Sequence, residues 1–110
     1  MWVVSVCIIW ESFEPQNSLF GVNVGAEYDT VPKCQQYCVD EPDCVAVDFN
    51  SIDKSCWVHL DARNLWENNT FALPNVTQYR ISRVNCSGGT VFFRNCIGWR
   101  VVEERGEVRG

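Results

Sequence analysis

The sequence predicts an α+β, disulfide-rich domain in which one helix is pinned to a sheet. Two observations carry that expectation. Residues 33–60, KCQQYCVDEPDCVAVDFNSIDKSCWVHL, hold four of the seven cysteines. Of these, Cys34 and Cys38 are four apart, which on a helix sets both sulfurs on one face about a turn apart. Cys44 and Cys56 each open a run with the composition or alternation of a strand.

Taken in order, residues 2–10 are rich in Val and Ile around Cys7 and read as a strand. Residues 12–18, with Pro15 and Asn17, read as a loop, and residues 19–24 as a short irregular strand ahead of Gly25. Thr30 is the expected N-cap of the helix, with Pro32 in the first turn, where its missing N–H does no harm. Val31, Cys34, Tyr37 or Cys38, and Val39 supply its inward side. Glu41-Pro42 stops it, because the residue before proline disfavours helical geometry. Residues 44–50 (CVAVDFN) and 56–60 (CWVHL) read as two strands of a hairpin across the polar turn 51–55. Residues 61–73 form a long loop, and residues 75–83 (NVTQYRISR) alternate as a clear strand.

After Ser87-Gly88-Gly89 the chain turns apolar again. Laying residues 90–104 over 1–15, with Cys96 on Cys7, matches Ile97 to Ile8, Trp99 to Trp10 and Glu103 to Glu14. Cys-Ile-x-Trp thus occurs twice, 89 residues apart, and internal repetition of this kind points to an extended array. The organisation predicted is a domain over residues 1–86, a break at 87–89, and a strand-forming segment at 90–110. That segment docks on a neighbour or begins a following repeat.

Composition narrows the function. In 110 residues the core is modest, so covalent staples add usefully to it. Seven cysteines beside three N-glycosylation sequons, at Asn68, Asn75 and Asn85, point to an oxidising, extracellular (secreted) setting. The net charge of −5 argues against a nucleic-acid partner, which needs clustered Lys and Arg. The apolar stretch at residues 1–10 is half the length of a membrane span and lacks the basic start and cleavage site of a signal peptide. No membrane span is expected, and a secretory signal is expected to lie outside the sequence.

Residues 7–86 resemble the PAN/apple superfamily of extracellular modules. The resemblance rests on Cys34-x3-Cys38, the CVAVDFN and CWVHL strands, the loop through Asn64-Leu65, and the VTQYRIS strand. It implies a single helix packed on a curved antiparallel sheet of about five strands. It also implies the bridges Cys34–Cys56 and Cys38–Cys44, and an apple-type third, Cys7–Cys86. Spacing alone selects none of these pairings. Members are binding and assembly units, so the fold constrains the ligand only weakly.

Single residues offer little chemistry. His59 is the only histidine, and no activated nucleophile motif accompanies it, so no catalytic residue and no enzyme activity are assigned. The four clustered cysteines lack the tight spacing of structural zinc knuckles, and Asp40, Glu41 and Asp43 lack a calcium-loop spacing, so neither metal nor cofactor is assigned. Phe49, Trp57 and Tyr79 are assigned to the core. Trp66, in a polar loop, either stacks on a ligand sugar or folds back over the core, and it is retained as a candidate ligand contact.

An odd cysteine count leaves one sulfur over, most simply Cys96. It then links two subunits about a two-fold axis, or plays the part of Cys7 in a next repeat. Two functional readings follow. In the first, a non-enzymatic extracellular glycoprotein self-assembles into a filament or tandem array through its ends, with Trp2, Val4, Phe92, Phe93, Ile97 and Trp99 at the interface. Its partners are copies of itself or adjoining repeats. In the second, it is an adhesion module of a larger secreted protein that binds glycans or other extracellular proteins through residues 61–73.

Overall fold

The computed structural model describes residues 3–85, 96–103 and 108–109. Its strands are β1 (Val3–Phe13), β2 (Asn17–Ser18), β3 (Val22–Asn23), β4 (Ala46–Asn50), β5 (Ser55–His59), β6 (Thr70–Phe71), β7 (Val76–Asn85), β8 (Cys96–Glu103) and β9 (Val108–Arg109), with one helix, α1 (Val31–Asp40). The chain divides into two compact units: Glu11–Ile81, and Met1–Trp10 together with Ser82–Gly110.

The Glu11–Ile81 unit is α+β. Its sheet runs in the order β3-β5-β4-β7-β1, with β1 represented by its last residues, and the β3·β5, β4·β5 and β4·β7 pairings are antiparallel. Thr30 caps α1 by accepting from Lys33 N, Pro32 lies in the first turn, and the helix ends at Asp40, before Pro42. Its buried residues are Cys34 and Cys38; Tyr37 instead meets Tyr28 edge to face, ring centroids 5.1 Å apart.

Two disulfides tie the helix down. Cys34–Cys56 joins it to β5, and Cys38–Cys44 joins its last turn to the entry of β4. Register assigns the faces of the sheet. Val47 pairs with Val58 and Tyr79, and Phe49 with Cys56 and Thr77; cross-strand partners share a face, so these residues stand on the side that carries α1. The opposite side carries Asp48 between Trp57 and Gln78, and Ala46 between His59 and Arg80. That side is covered by the β2·β6 ribbon, which pairs Asn17 with Phe71 and Ser18 with Thr70.

Trp57 corrects the sequence reading. It stands on the face away from the helix and is 39% exposed, because strand alternation that buries Cys56 and Val58 under α1 turns Trp57 the other way. Phe49 is buried, and Tyr79 is half-buried. The expected loop at residues 61–73 contains two 3₁₀ turns, Ala62–Leu65 and Glu67–Asn69, followed by β6.

In the second unit, β1 pairs antiparallel with β8, Val4 opposite Val102 and Cys7 opposite Trp99, and β8 pairs with β9. The two Cys-Ile-x-Trp segments are therefore hydrogen-bonded to each other within one chain. Trp2, Cys86, Phe92, Phe93 and the break at 87–89 lie outside the described residues, as do the side chains of Val4, Asn85, Cys96, Ile97 and Trp99.

Candidate binding site

On the helix-distal face a buried carboxylate organises the surface above it. Asp48 Oδ2 accepts from Ser18 N at 3.0 Å and from His59 Nε2 at 2.6 Å, and Asp48 Oδ1 accepts from Gln78 Nε2 at 2.8 Å. Asn64 presents its amide nitrogen to His59 Nδ1 at 3.2 Å. An amide nitrogen only donates, so Nδ1 accepts and the ring proton sits on Nε2, facing Asp48. Asp48, His59 and Gln78 are almost completely buried, and Ser18 and Asn64 nearly so. Burying a carboxylate is costly unless its oxygens are bonded, and here three donors meet them.

The remaining bonds run outward in one direction. Gln78 Nε2 also donates to Ser18 Oγ at 2.8 Å, and Thr70 Oγ1 donates to Trp66 O at 3.1 Å. The Ser18 hydroxyl therefore donates to Thr70 Oγ1, at 2.7 Å. Gln16 Nε2 and Arg80 Nε close on Gln78 Oε1 at 2.8 and 3.0 Å. Sequence reasoning missed this cluster, although Asp48 in an otherwise apolar strand was a readable signal.

Ser18, His59 and Asp48 are the residue types of a nucleophilic relay, but their order differs. In such a relay the imidazole stands between hydroxyl and carboxylate. Here the carboxylate stands between Ser18 N and His59, while the Ser18 hydroxyl goes to Thr70. What the arrangement does is fix the backbone of residue 18 against the sheet.

A groove of about 320 Å³ opens beside that anchor, lined by residues 17–21, Asn50, Asp53, Trp57, Leu73 and Val76. Its upper wall is the tight passage between β2 and β3. Phe20 adopts φ 71° and is 70% exposed. A bulky side chain in the left-handed region costs of order 1–3 kcal/mol, and such strain gathers at functional sites. Gly21 follows because the backbone there runs over Trp57 and His59; a Cβ at this position would lie 3.2 Å from Trp57 Cβ and 3.2 Å from His59 Cε1. Leu19 N is held by Asn69 O at 2.9 Å and Gln16 N by Val76 O at 3.1 Å, so the wall is tied at both ends.

The floor is equally fixed. Trp57 Nε1 donates to Ser55 Oγ at 2.9 Å, and Ser55 Oγ donates to Asp53 Oδ1 at 2.5 Å, which orients the indole. Leu19, Phe20, Trp57 and Leu73 are all exposed here. Asn17, Asn50 and Asp53 supply polar atoms at the margin. An apolar floor with a few convergent polar groups is the usual make-up of a ligand site. A second hollow, about 400 Å³, lies along α1 between Glu27, Tyr28, Tyr37 and Glu41. It lacks both the apolar floor and the strained wall.

The sequence-derived candidates fall apart from the groove. Trp66 sits between the two 3₁₀ turns and is 57% exposed, so it does not fold back over the core, and it does not line the groove. Asn68 and Asn75 are both exposed. All four cysteines of residues 34–56 are in the two bridges, and Cys7 is also disulfide-bonded; the proposed partner, Cys86, lies outside the described residues. Asp40 Oδ1 accepts from Gln36, and Glu41 Oε1 from Asp43 N. Among the described residues no helix is long and apolar enough to cross a membrane.

Comparison with known proteins gives one family. The family model described as PAN domain matches residues 15–88, about two thirds of the chain. No curated protein and no solved structure matches.

Proposed function

This chain belongs to the PAN domain family, and from that premise we propose that it is a recognition module whose groove beneath Phe20 takes an apolar segment of an extracellular partner protein. Family membership suggests an extracellular binding module, generally non-catalytic, that mediates protein or carbohydrate interactions, and the disulfides are consistent with secretion. The observation that carries the reading is Phe20, exposed and strained on a backbone tied down by the Asp48 cluster. Strain without a use is removed by substituting glycine. The aliphatic company of Leu19 and Leu73, together with Phe20 and Trp57, favours a protein segment over a sugar, because protein hot spots are buried aromatic anchors ringed by apolar contacts.

The test sets a displayed peptide library and a glycan array against the wild-type protein and Trp57→Ala, both free of N-linked sugar. Peptides with apolar anchors should be enriched on the wild type and lost on the variant. Enrichment on the glycan array alone would replace the peptide by a sugar, and equal enrichment on both proteins would move the site elsewhere.

Self-assembly is the second reading. What supports it is that β1 and β8 carry the same Cys-Ile-x-Trp motif and pair antiparallel, a pairing that two chains can also make between copies. Sedimentation over a wide concentration range tests it: association through the ends requires mass to grow with concentration.

A further inference from the structure

We propose that Asn75 is an N-glycosylation site whose glycan closes over the groove, so that occupancy of this one asparagine sets access to Phe20, Trp57 and Leu73. The proposal rests on the reading of the groove as a binding site and adds its regulation.

Asn75-Val76-Thr77 is a sequon, and its place in the fold distinguishes it from the others. Leu73 and Val76, on either side of Asn75, both line the groove. Asn75 itself is exposed at the entry to β7, with φ 70°. Its carbonyl is pinned by Ser51 N at 2.9 Å and Ser51 Oγ at 3.2 Å, while its side-chain amide makes no hydrogen bond among the described residues. The backbone is thus fixed at the groove rim and the amide is free to carry a substituent.

Asn68 differs. Its sequon hydroxyl, on Thr70, is bonded to Ser18 and Trp66 inside the fold, and residues 68–70 do not line the groove. The side chain of Asn85 lies outside the described residues.

The modification needs a donor, an oligosaccharide linked through diphosphate to a lipid, as the secretory compartment supplies. Asn75 Nδ2 forms a bond to the anomeric carbon and gives up one proton to a base. The anomeric carbon–oxygen bond breaks, and the lipid diphosphate leaves with that electron pair. Nothing is oxidised or reduced. The attached sugar presents an apolar ring face to Leu73 and Trp57, covering surface that water otherwise meets.

The chain is secreted from mammalian cells and compared before and after an amidase that removes whole N-glycans, leaving aspartate and, in heavy-oxygen water, a mass label. Peptide mass spectrometry is expected to place the label on Asn75. Hydroxyl-radical footprinting is expected to show Phe20, Trp57 and Leu73 reacting about twofold or more faster once the glycan is gone. Asn75→Gln should react like the stripped protein, and Asn68→Gln like the untreated one. If Asn75→Gln is not secreted, the stripped wild type supplies the readout. An unmodified Asn75, or a modified one with unchanged labelling, overturns the proposal. Neither readout uses a ligand, so a groove that binds no peptide is recognised separately, by the peptide library on stripped protein.

Discussion

His59 Nε2 lies 2.6 Å from Asp48 Oδ2, and both side chains are sealed from solvent. The pair links two neighbouring strands and, through Ser18 N on the same oxygen, ties the groove wall to the sheet. Removing one partner leaves the other's buried polar atom unpaired, at a cost of about 1–3 kcal/mol. His59→Leu and Asp48→Ala should each fall in that range in urea unfolding with the disulfides intact. A loss under about 1 kcal/mol for both, the level of an exposed pair, would remove the cluster from its anchoring role.

The two bridges should differ in worth. Cys34–Cys56 spans 22 residues and Cys38–Cys44 spans 6. Loop-closure entropy then assigns about 3 kcal/mol to the first and about 2 kcal/mol to the second. Paired Cys→Ala variants, compared by their urea midpoints at equal slope, test the order as well as the size.

Gly21 has no room for a side chain. Both contacts to its missing Cβ involve groups held from elsewhere, the Trp57 Cβ on β5 and the His59 ring in the buried cluster. Gly21→Ala should therefore cost about 1–3 kcal/mol, the range for overpacking. It should also move the Trp57 indole resonance in an NMR spectrum.

Asp61 makes the one strong pH prediction. The hydrogen bonds from the Arg63 side chain, then from Arg63 N, hold its carboxyl down from the ordinary 3.8 to about 2. Folding lowers this pKa, so any stability it contributes is present above about pH 4 and is lost as pH falls toward 2. The pair is exposed, so salt screens it and the effect on unfolding is slight. Carboxyl-carbon NMR should titrate Asp61 near 2, with Arg63→Gln returning the midpoint toward 3.8.

Much of the fold was legible because local rules and the cysteine pattern agreed. Thr30, Pro32 and Pro42 bounded the helix, and alternation located β4, β5 and β7. The groove was not legible. Its wall at residues 17–21 and its floor at Trp57 and Leu73 meet only through the β2·β6 ribbon, and nothing local specifies that pairing. The sequence reading places Trp57 in the core, whereas alternation along β5 buries its neighbours Cys56 and Val58 under the helix instead. The strain at Phe20 belongs to the backbone and leaves no mark in composition.

Phe20 gives the most direct test of the groove. Phe20→Gly relieves left-handed strain of about 1–3 kcal/mol against about 0.5–1 kcal/mol for the freedom glycine adds to the unfolded chain, and removes the anchor. Titration of a library-selected peptide against stripped wild type and Phe20→Gly, beside their unfolding free energies, is the measurement. The variant should be at least as stable as the wild type and bind about tenfold or more weakly. Equal binding by the two proteins would contradict a recognition role for this groove.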